Sequence, residues 1–405
     1  MERTKRLVNQ IAYTSPQNFS NLPLLQRSLI PFLYTVSSLY KLVLSLRHNL
    51  YHFGLFKKQR LPVPVISVGN LTWGGNGKTP MVEFLALLFH QAGVSPLILT
   101  RGYAGGDEAK MLQRRLSATS AKIGVGANRS ATAACFFEQY GYLDPRNCKW
   151  IEKLCTNQEL ESSSYSENIG AIILDDGMQH WSLYRDVEIV MVNGMKPWGN
   201  NQLLPLGPLR EPLAALDRAD VAVIHHADMI SDKELKLIEF MIHEVNEGLP
   251  IFFTTLSPSC FFVVDNCYSK LPLNVVHNKI ALCVSAIGSA DAFIRRIEKL
   301  GPLYVDRLDF SDHHFFQAKD VEIITERLGK LHDEFGLKPV VVVTEKDYDR
   351  DPIILKDLCP YEVLVLSSYL EIMPFMACTE ARFRKFLKKL LESKVSTRYV
   401  YTNGV

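Results

Sequence analysis

The chain has 405 residues, 47% hydrophobic and 22% charged, a balance that excludes intrinsic disorder and leaves room for two domains. Lys and Arg total 45 against 43 Asp and Glu, so the net charge of +2 excludes a global pull toward nucleic acid, and any basic surface is local. The 8 cysteines show no Cys-x-x-Cys pair and no histidine at zinc spacing, so they read as reduced structural thiols.

The N-terminal stretch carries Arg3, Lys5, Arg6 and Arg27 against one acid, Glu2, among many Ser, Thr, Asn and Gln. Residues 1–22 therefore read as a mitochondrial-type transit segment or as a disordered N-terminus; no apolar core with a small-residue cleavage site follows, which disfavours a secretory signal. Within 23–60, Leu29, Phe32, Leu33, Val36, Leu39, Tyr40, Val43, Leu46 and Leu50 recur at helical spacing. The uncharged stretch ends at Lys41, too short for a bilayer of ~30 Å. Arg27, Lys41, Arg47, Lys57, Lys58 and Arg60 flank it. An apolar stripe with cationic flanks predicts an amphipathic helix, lying either in a membrane interface or on the protein's own core.

From Val63 onward, short β-branched runs alternate with helical segments. Strands are predicted at Val63–Val68, Ser95–Thr100, Ile169–Leu174, Val187–Val192 and Val221–His225, then at Lys279–Val284, Val340–Val343 and Glu362–Leu366. Near-continuous apolar strands separated by helices indicate a parallel sheet covered on both faces. Residues 157–168 are polar and Ser-rich and read as a surface loop. The Pro- and Gly-dense segment from Pro197 to Pro212 reads as a linker or an ordered binding loop, with a domain boundary just after it. The expected organisation is a core at 61–215, a smaller α/β domain at 216–392 closing over the cleft, and a tail at 393–405.

Two segments carry chemistry. In the first, an apolar strand from Val63 runs into Thr72-Trp-Gly-Gly-Asn-Gly-Lys-Thr79, and an amphipathic helix with Val82, Leu85, Leu88 and Phe89 follows. Glycines at 74, 75 and 77 let backbone N–H groups converge on an anion, and the helix N-terminus adds its positive dipole end. Trp73 and Asn76 complete the turn, Lys78 would reach the β- and γ-phosphates, and the Thr79 hydroxyl would bind Mg²⁺. Thr72 departs from the usual pattern by standing where a glycine is expected. In the second segment, an apolar strand ends in Asp175-Asp176, which alone is more often a turn. About a hundred residues after a phosphate loop, it becomes the expected carboxylate for the same metal.

At this point the chain resembles the lipid A (tetraacyldisaccharide) 4′-kinase family, as a plant or organellar member. The Pro-Val-Pro-Val-Ile-Ser-Val-Gly-Asn lead-in, Gly-Gly-Asn-Gly-Lys-Thr-Pro80 and Leu99-Thr-Arg-Gly-Tyr103 match, as do Asp175-Asp-Gly-Met-Gln-His180 and Leu204-Pro-Leu-Gly-Pro-Leu-Arg-Glu-Pro212. Asp312-His-His314 and Thr344-Glu-Lys-Asp347 follow in the family's order. The resemblance implies a P-loop NTPase fold (RecA-like) with a second, smaller α/β domain. It also implies transfer of the γ-phosphate of MgATP to the 4′-hydroxyl of a membrane-bound tetraacylated glucosamine disaccharide 1-phosphate, giving lipid IVA.

Residue roles carry over by position. Asp107 of Gly106-Asp-Glu108 would accept the proton of the attacking hydroxyl, although the loop before it is shorter than in many bacterial relatives; read alone it is a solvated loop acid. His313 matches the histidine that pairs with this acid, against a bland reading of His313 and His314 as capping residues. Arg210 would bring its guanidinium to the transferring phosphate, where an Arg–Glu pair with Glu211 would otherwise be a surface ion pair. Asp175 and Asp176 would hold Mg²⁺ with Thr79; Gln179, His180, Arg101 and Glu108 would stand nearby. Thr344-Glu-Lys-Asp347 either contacts the nucleotide or caps a helix. The expected partners are a lipid-linked disaccharide and a membrane surface held peripherally, with no nucleic acid and no obligate protein partner. The expected place is the mitochondrion, peripheral on a membrane, whereas bacterial relatives would work at the cytoplasmic face of their inner membrane. A nucleotide-switch protein is a competing class, but its guanine-reading Asn-Lys-x-Asp has Thr344 in place of Asn. A non-catalytic membrane scaffold is another, which the full set of Lys78, Thr79, Asp107, Asp176 and Arg210 disfavours.

Overall fold

The computed structural model describes residues 2–102, 106–144, 149–155 and 166–402, with side chains described from 7 to 396. Tyr103, most of loop 157–168 and the end of the tail lie outside the described residues. The chain forms two compact units. The first comprises Met1–Arg101, Leu116–Thr255 and Ile372–Val405; the second comprises Gly102–Arg115 and Leu256–Glu371.

The first unit opens with α1 (Glu2–Ala12) and α2 (Leu24–His52), then β1 (Val65–Gly69), α3 (Lys78–Gln91) and β2 (Ser95–Thr100). After α4 (Asp107–Arg115), which belongs to the second unit, come β3 (Lys122–Val125), α5 (Arg129–Tyr140), α6 (Trp150–Lys153), β4 (Ile169–Asp175), β5 (Val187–Asn193), β6 (Val221–His225) and α7 (Asp232–His243). The strand order is β7-β6-β5-β1-β4-β2-β3, where β7 (Ile251–Val263) contributes its first residues, and these pairings are parallel. Every residue of β1, β2, β4, β5 and β6 is buried, as continuous apolar strands in a doubly covered sheet must be. The chain closes this unit with α11 (Glu380–Thr402).

The second unit holds β8 (Asn266–Leu271), β9 (Ile280–Ser285), α8 (Ala290–Glu298), β10 (Tyr304–Asp309), α9 (Ala318–Phe335), β11 (Val340–Thr344), α10 (Glu345–Arg350) and β12 (Val363–Ile372). Its parallel order is β10-β9-β11-β12, and β8 pairs antiparallel with the end of β7. Two apolar clusters sandwich these strands, one around Leu282, Val341 and Val365, the other around Phe261, Phe293 and Val342.

The boundary expected after Pro212 is corrected. β6 pairs with β5 at Val190↔Ala222, which keeps it in the first unit, and the chain leaves that unit only after Thr255. α4 leaves it as well, because Arg114 and Arg115 pair with Glu345, and Arg114 with Asp349, in the second unit.

The N-terminus is folded rather than disordered: Ile11 and Ala12 are fully buried. α2 is longer than its apolar periodicity predicted, running 29 residues or about 43 Å at the helical rise. By length and composition alone it is able to cross a membrane, which corrects the expectation that it is too short. One stripe of it is committed to protein. Leu33 and Ser37 are buried, Ser37 Oγ donates to Leu203 O at 3.0 Å, Tyr40 Oη donates to Arg210 O at 2.9 Å, and Arg47 donates to Gln179 O at 2.7 Å. The other face exposes Phe32, Leu39, Leu42, Val43 and Leu46.

Candidate active site

The glycine turn 70–77 joins β1 to α3, so the backbone N–H groups at the start of α3 point into it. Gly77 has φ +79°, and an added Cβ would lie 2.5 Å from the ring of His225, so only glycine fits there. The turn is held from several sides. Trp73 N donates to Pro208 O at 3.1 Å, Asn193 Nδ2 to Gly75 O at 2.9 Å, and Asn76 Nδ2 to Thr72 O at 3.2 Å. Thr72, the departure from the usual pattern, bridges to Leu209 and is buried, so its side chain serves the turn rather than blocking it.

β4 lies beside β1 with Val68 level with Asp175, which brings the carboxylate pair to the start of the turn. Asp175 is buried, and the residue after it turns sharply: Asp176 has φ 53°, a left-handed conformation that costs a non-glycine residue energy and concentrates at working sites. Gly177 N donates to Val68 O at 3.2 Å, and Gln179 Nε2 to Asn70 O at 3.0 Å, tying this turn to the phosphate turn. Arg210 Nη1 lies 2.7 and 2.8 Å from the two oxygens of Asp176, and Lys78 Nζ lies 3.5 Å from Oδ1. Lys78 also donates to Asn70 Oδ1 at 3.3 Å. Burial alone would raise the Asp176 carboxyl, but the Lys78 and Arg210 charges outweigh it and hold it well below the usual carboxylate range.

Arg210 stands there because Leu204–Pro212 lies along the phosphate turn, with Arg210 N donating to Leu71 O at 2.6 Å. Glu211 is buried and paired with Arg218, so it fixes the loop rather than facing substrate. Arg101 and Arg129 stand near the same turn, and Arg129 donates to Asp175 O at 3.2 Å. Burial, with Arg129, Arg185, Arg47 and Arg101 adding repulsion, pushes the His180 imidazole down to about 4. His180 is thus a neutral ring in a cationic setting that suits phosphate.

The second unit gathers a different set. Asp107 begins α4 and is 1% exposed. Its Oδ2 accepts from His313 Nδ1 at 3.0 Å and from Arg350 at 3.0 and 3.3 Å, and its Oδ1 accepts from Glu108 N at 2.9 Å. Burial raises the carboxyl, but the His313 hydrogen bond and the Lys346, His313 and Arg350 charges lower it to about 2. His313 has φ 62° and keeps 30% of its side chain exposed. Glu108 pairs with Lys346 at 3.1 Å. Thr344 caps α10 by accepting from Asp347 N, so Thr344-Glu-Lys-Asp347 starts a helix whose Lys346 and Arg350 reach α4. His314 bonds Asp320 at 2.8 Å in the cap of α9.

The family described as LpxK, tetraacyldisaccharide-1-P 4'-kinase, matches residues 29–392. The chain belongs to this family. A relative from Arabidopsis thaliana, named "Probable tetraacyldisaccharide 4'-kinase, mitochondrial", is 54% identical over 394 residues, 97% of this chain and 99% of that protein. The tetraacyldisaccharide 4'-kinase of Halothermothrix orenii is 32% identical over 78% of this chain and 83% of its own length. Among solved structures, LpxK from Aquifex aeolicus, crystallised with ATP, matches the fold with a TM-score of 0.58 at 24% identity, covering 91% of this chain and 100% of that one.

Within this 4′-kinase fold, the predicted site residues fall into two groups, Thr72–Thr79, Arg101, Asp175, Asp176, Gln179, His180, Arg210 and Glu211 in the first unit, and Asp107, Glu108 and His313 in the second. Motif reading missed Asn70, Asn193 and His225, which brace the phosphate turn, and Arg350, which holds Asp107. The only sequence signal for Arg350 was its place three residues after Asp347, one helical turn on.

Proposed function

We propose that this 4′-kinase divides its work between the two groups. The first unit binds ATP and stabilises the transferring phosphoryl group; the second removes the proton from the 4′-hydroxyl of a tetraacylated glucosamine disaccharide 1-phosphate. The observation that carries the reading is the cluster of Lys78 and Arg210 on Asp176 beside a glycine turn at a helix N-terminus. Phosphoryl transfer asks for positioning and charge stabilisation, and two cations converging there supply both.

The donors Thr79, Asp175 and Asp176 are all hard oxygens, the chemistry Mg²⁺ takes when it also binds substrate phosphates, so these residues fit that ion. When bound, Mg²⁺ would neutralise charge on the β- and γ-phosphates. Asp176 stays ionised through the working pH range, and Lys78 and Arg210 remain as donors to phosphate oxygens.

For the proton, the geometry favours a refinement of the role implied by resemblance. Both oxygens of Asp107 accept hydrogen bonds and its carboxyl is depressed to about 2, which makes it a weak base. With Nδ1–H donated to Asp107, His313 carries its lone pair on Nε2, on a partly exposed ring. His313 therefore takes the hydroxyl proton, and Asp107 orients the ring.

α2 supports peripheral membrane binding. A helix hydrogen-bonded to the first unit at Ser37, Tyr40 and Arg47 cannot also leave it to span a bilayer, while its free face of Leu, Val and Phe suits an interface. The Arabidopsis relative's name supports a mitochondrial location. The test is incubation of the purified chain with ATP, Mg²⁺ and the tetraacyl disaccharide 1-phosphate. The expected product has gained one phosphate by mass at the 4′ position; ATP hydrolysis with the lipid unchanged would reject the reading.

A further inference from the structure

The family match begins at residue 29, and residues 10–13, upstream of it, are built into the first unit. Ile11 and Ala12 are fully buried, and Ile11 packs with Leu22, Leu33 and Leu206. Asn200 N donates to Ala12 O at 2.9 Å, and Asn200 Nδ2 to Ile11 O at 3.2 Å. Gly199 has φ +57°, and a Cβ there would lie 2.7 Å from Ala12 O, so the binding loop is shaped around this segment. Gln26 Nε2 donates to Gln10 Oε1 at 2.6 Å. This framework fixes the residue that follows. Tyr13 Oη stands 3.5 Å from Trp73 O, and a Cβ on Gly74 would lie 3.8 Å from the same hydroxyl. Lys196 Nζ lies 5.8 Å from the centre of the Tyr13 ring.

We propose that Tyr13 is a positioning residue for ATP, bracing the Trp73–Gly74 part of the phosphate turn, so that the N-terminal segment from residue 9 is a working part of the nucleotide unit and not a removable leader. A turn with glycines at 74, 75 and 77 loses much conformational freedom when it closes on an anion, and a brace present beforehand reduces that cost. The inference rests on the ATP reading above.

The test uses the full chain, with steady-state kinetics and titration of a non-hydrolysable ATP analogue in Mg²⁺. Tyr13→Ala should raise the analogue's Kd and the KM for ATP roughly three- to ten-fold, the factor one hydrogen-bond-sized contact carries. The lipid KM and kcat should stay within about two-fold, since the brace touches neither acceptor nor proton. Tyr13→Phe keeps the ring under Lys196 but lacks the hydroxyl that stands against Trp73 O and Gly74, so most of the rise should remain. A chain starting at residue 9 should behave as wild type, and one starting at residue 15 as Tyr13→Ala. If the shorter chain does not fold, the Ala and Phe pair decides alone. Wild-type affinity in Tyr13→Ala, or a rise in lipid KM in place of ATP KM, would overturn the proposal. A wild-type chain that binds no analogue would instead overturn the nucleotide reading.

Discussion

Arg350 is the residue whose importance was least visible beforehand. It is 2% exposed and donates to Asp107 and Asp347, both buried, and to the carbonyls of Ala286 and His314. Arg350→Met removes the cation and leaves two buried carboxylates facing each other without it, so a loss of about 3 kcal/mol in unfolding free energy is expected by chemical denaturation. Asp107 gives a pH dependence of definite sign. Its folded carboxyl lies at about 2, below its ordinary 3.8. The ionised form therefore stabilises the fold; that contribution, about 2 kcal/mol, is complete above the ordinary value and fades as pH falls toward 2. Denaturation midpoints between pH 6 and pH 2 should fall more for wild type than for Asp107→Asn; parallel curves would contradict the assignment. Arg210→Lys keeps a positive charge but loses the planar fork, and kcat should drop about 100-fold with ATP KM little changed.

Among the elements, the fully buried parallel strands were legible as apolar runs: Ser95–Thr100 and Val221–His225 coincide with β2 and β6. β10 reads Tyr-Val-Asp-Arg-Leu-Asp and β3 begins with Lys122; as edge strands they carry charge and half-exposed positions, so no apolar run announces them. The phosphate turn and the carboxylate turn were equally legible, because glycine and aspartate spacing is local chemistry. The braces Asn193, His225 and Tyr13 were not, because each reaches the turn from more than fifty residues away in sequence and leaves no local pattern. α2 was read for its stripe but not for its bonds. Its exposed Leu42 and Leu46 should mediate vesicle binding, and replacing both by Glu should weaken sedimentation with anionic vesicles at least roughly tenfold. ATP KM should be unchanged. Tyr40→Phe is expected to act differently, lowering kcat through the carbonyl of Arg210 while vesicle binding persists.

At the scale of the whole molecule, the predicted site residues separate with the two units, and the chain passes between these units at Arg101, Arg115, Thr255 and Glu371. The family and its P-loop core followed from motifs spread across most of the chain. The unit boundary did not, because Pro197–Pro212, which looks like a linker in composition, is an ordered loop laid along the phosphate turn. Substitutions of Asp107 or His313 should therefore stop phosphoryl transfer with ATP binding retained, and substitutions of Lys78 should lose both. The most direct measurement is equilibrium titration of a non-hydrolysable ATP analogue, in Mg²⁺, into wild type, Lys78→Met and His313→Ala. Saturable binding is expected in wild type and His313→Ala, with affinity at least roughly tenfold weaker in Lys78→Met, as loss of a charged hydrogen bond to phosphate implies. Equal binding by all three chains, or loss of binding in His313→Ala alone, would contradict the division of labour from which everything else follows.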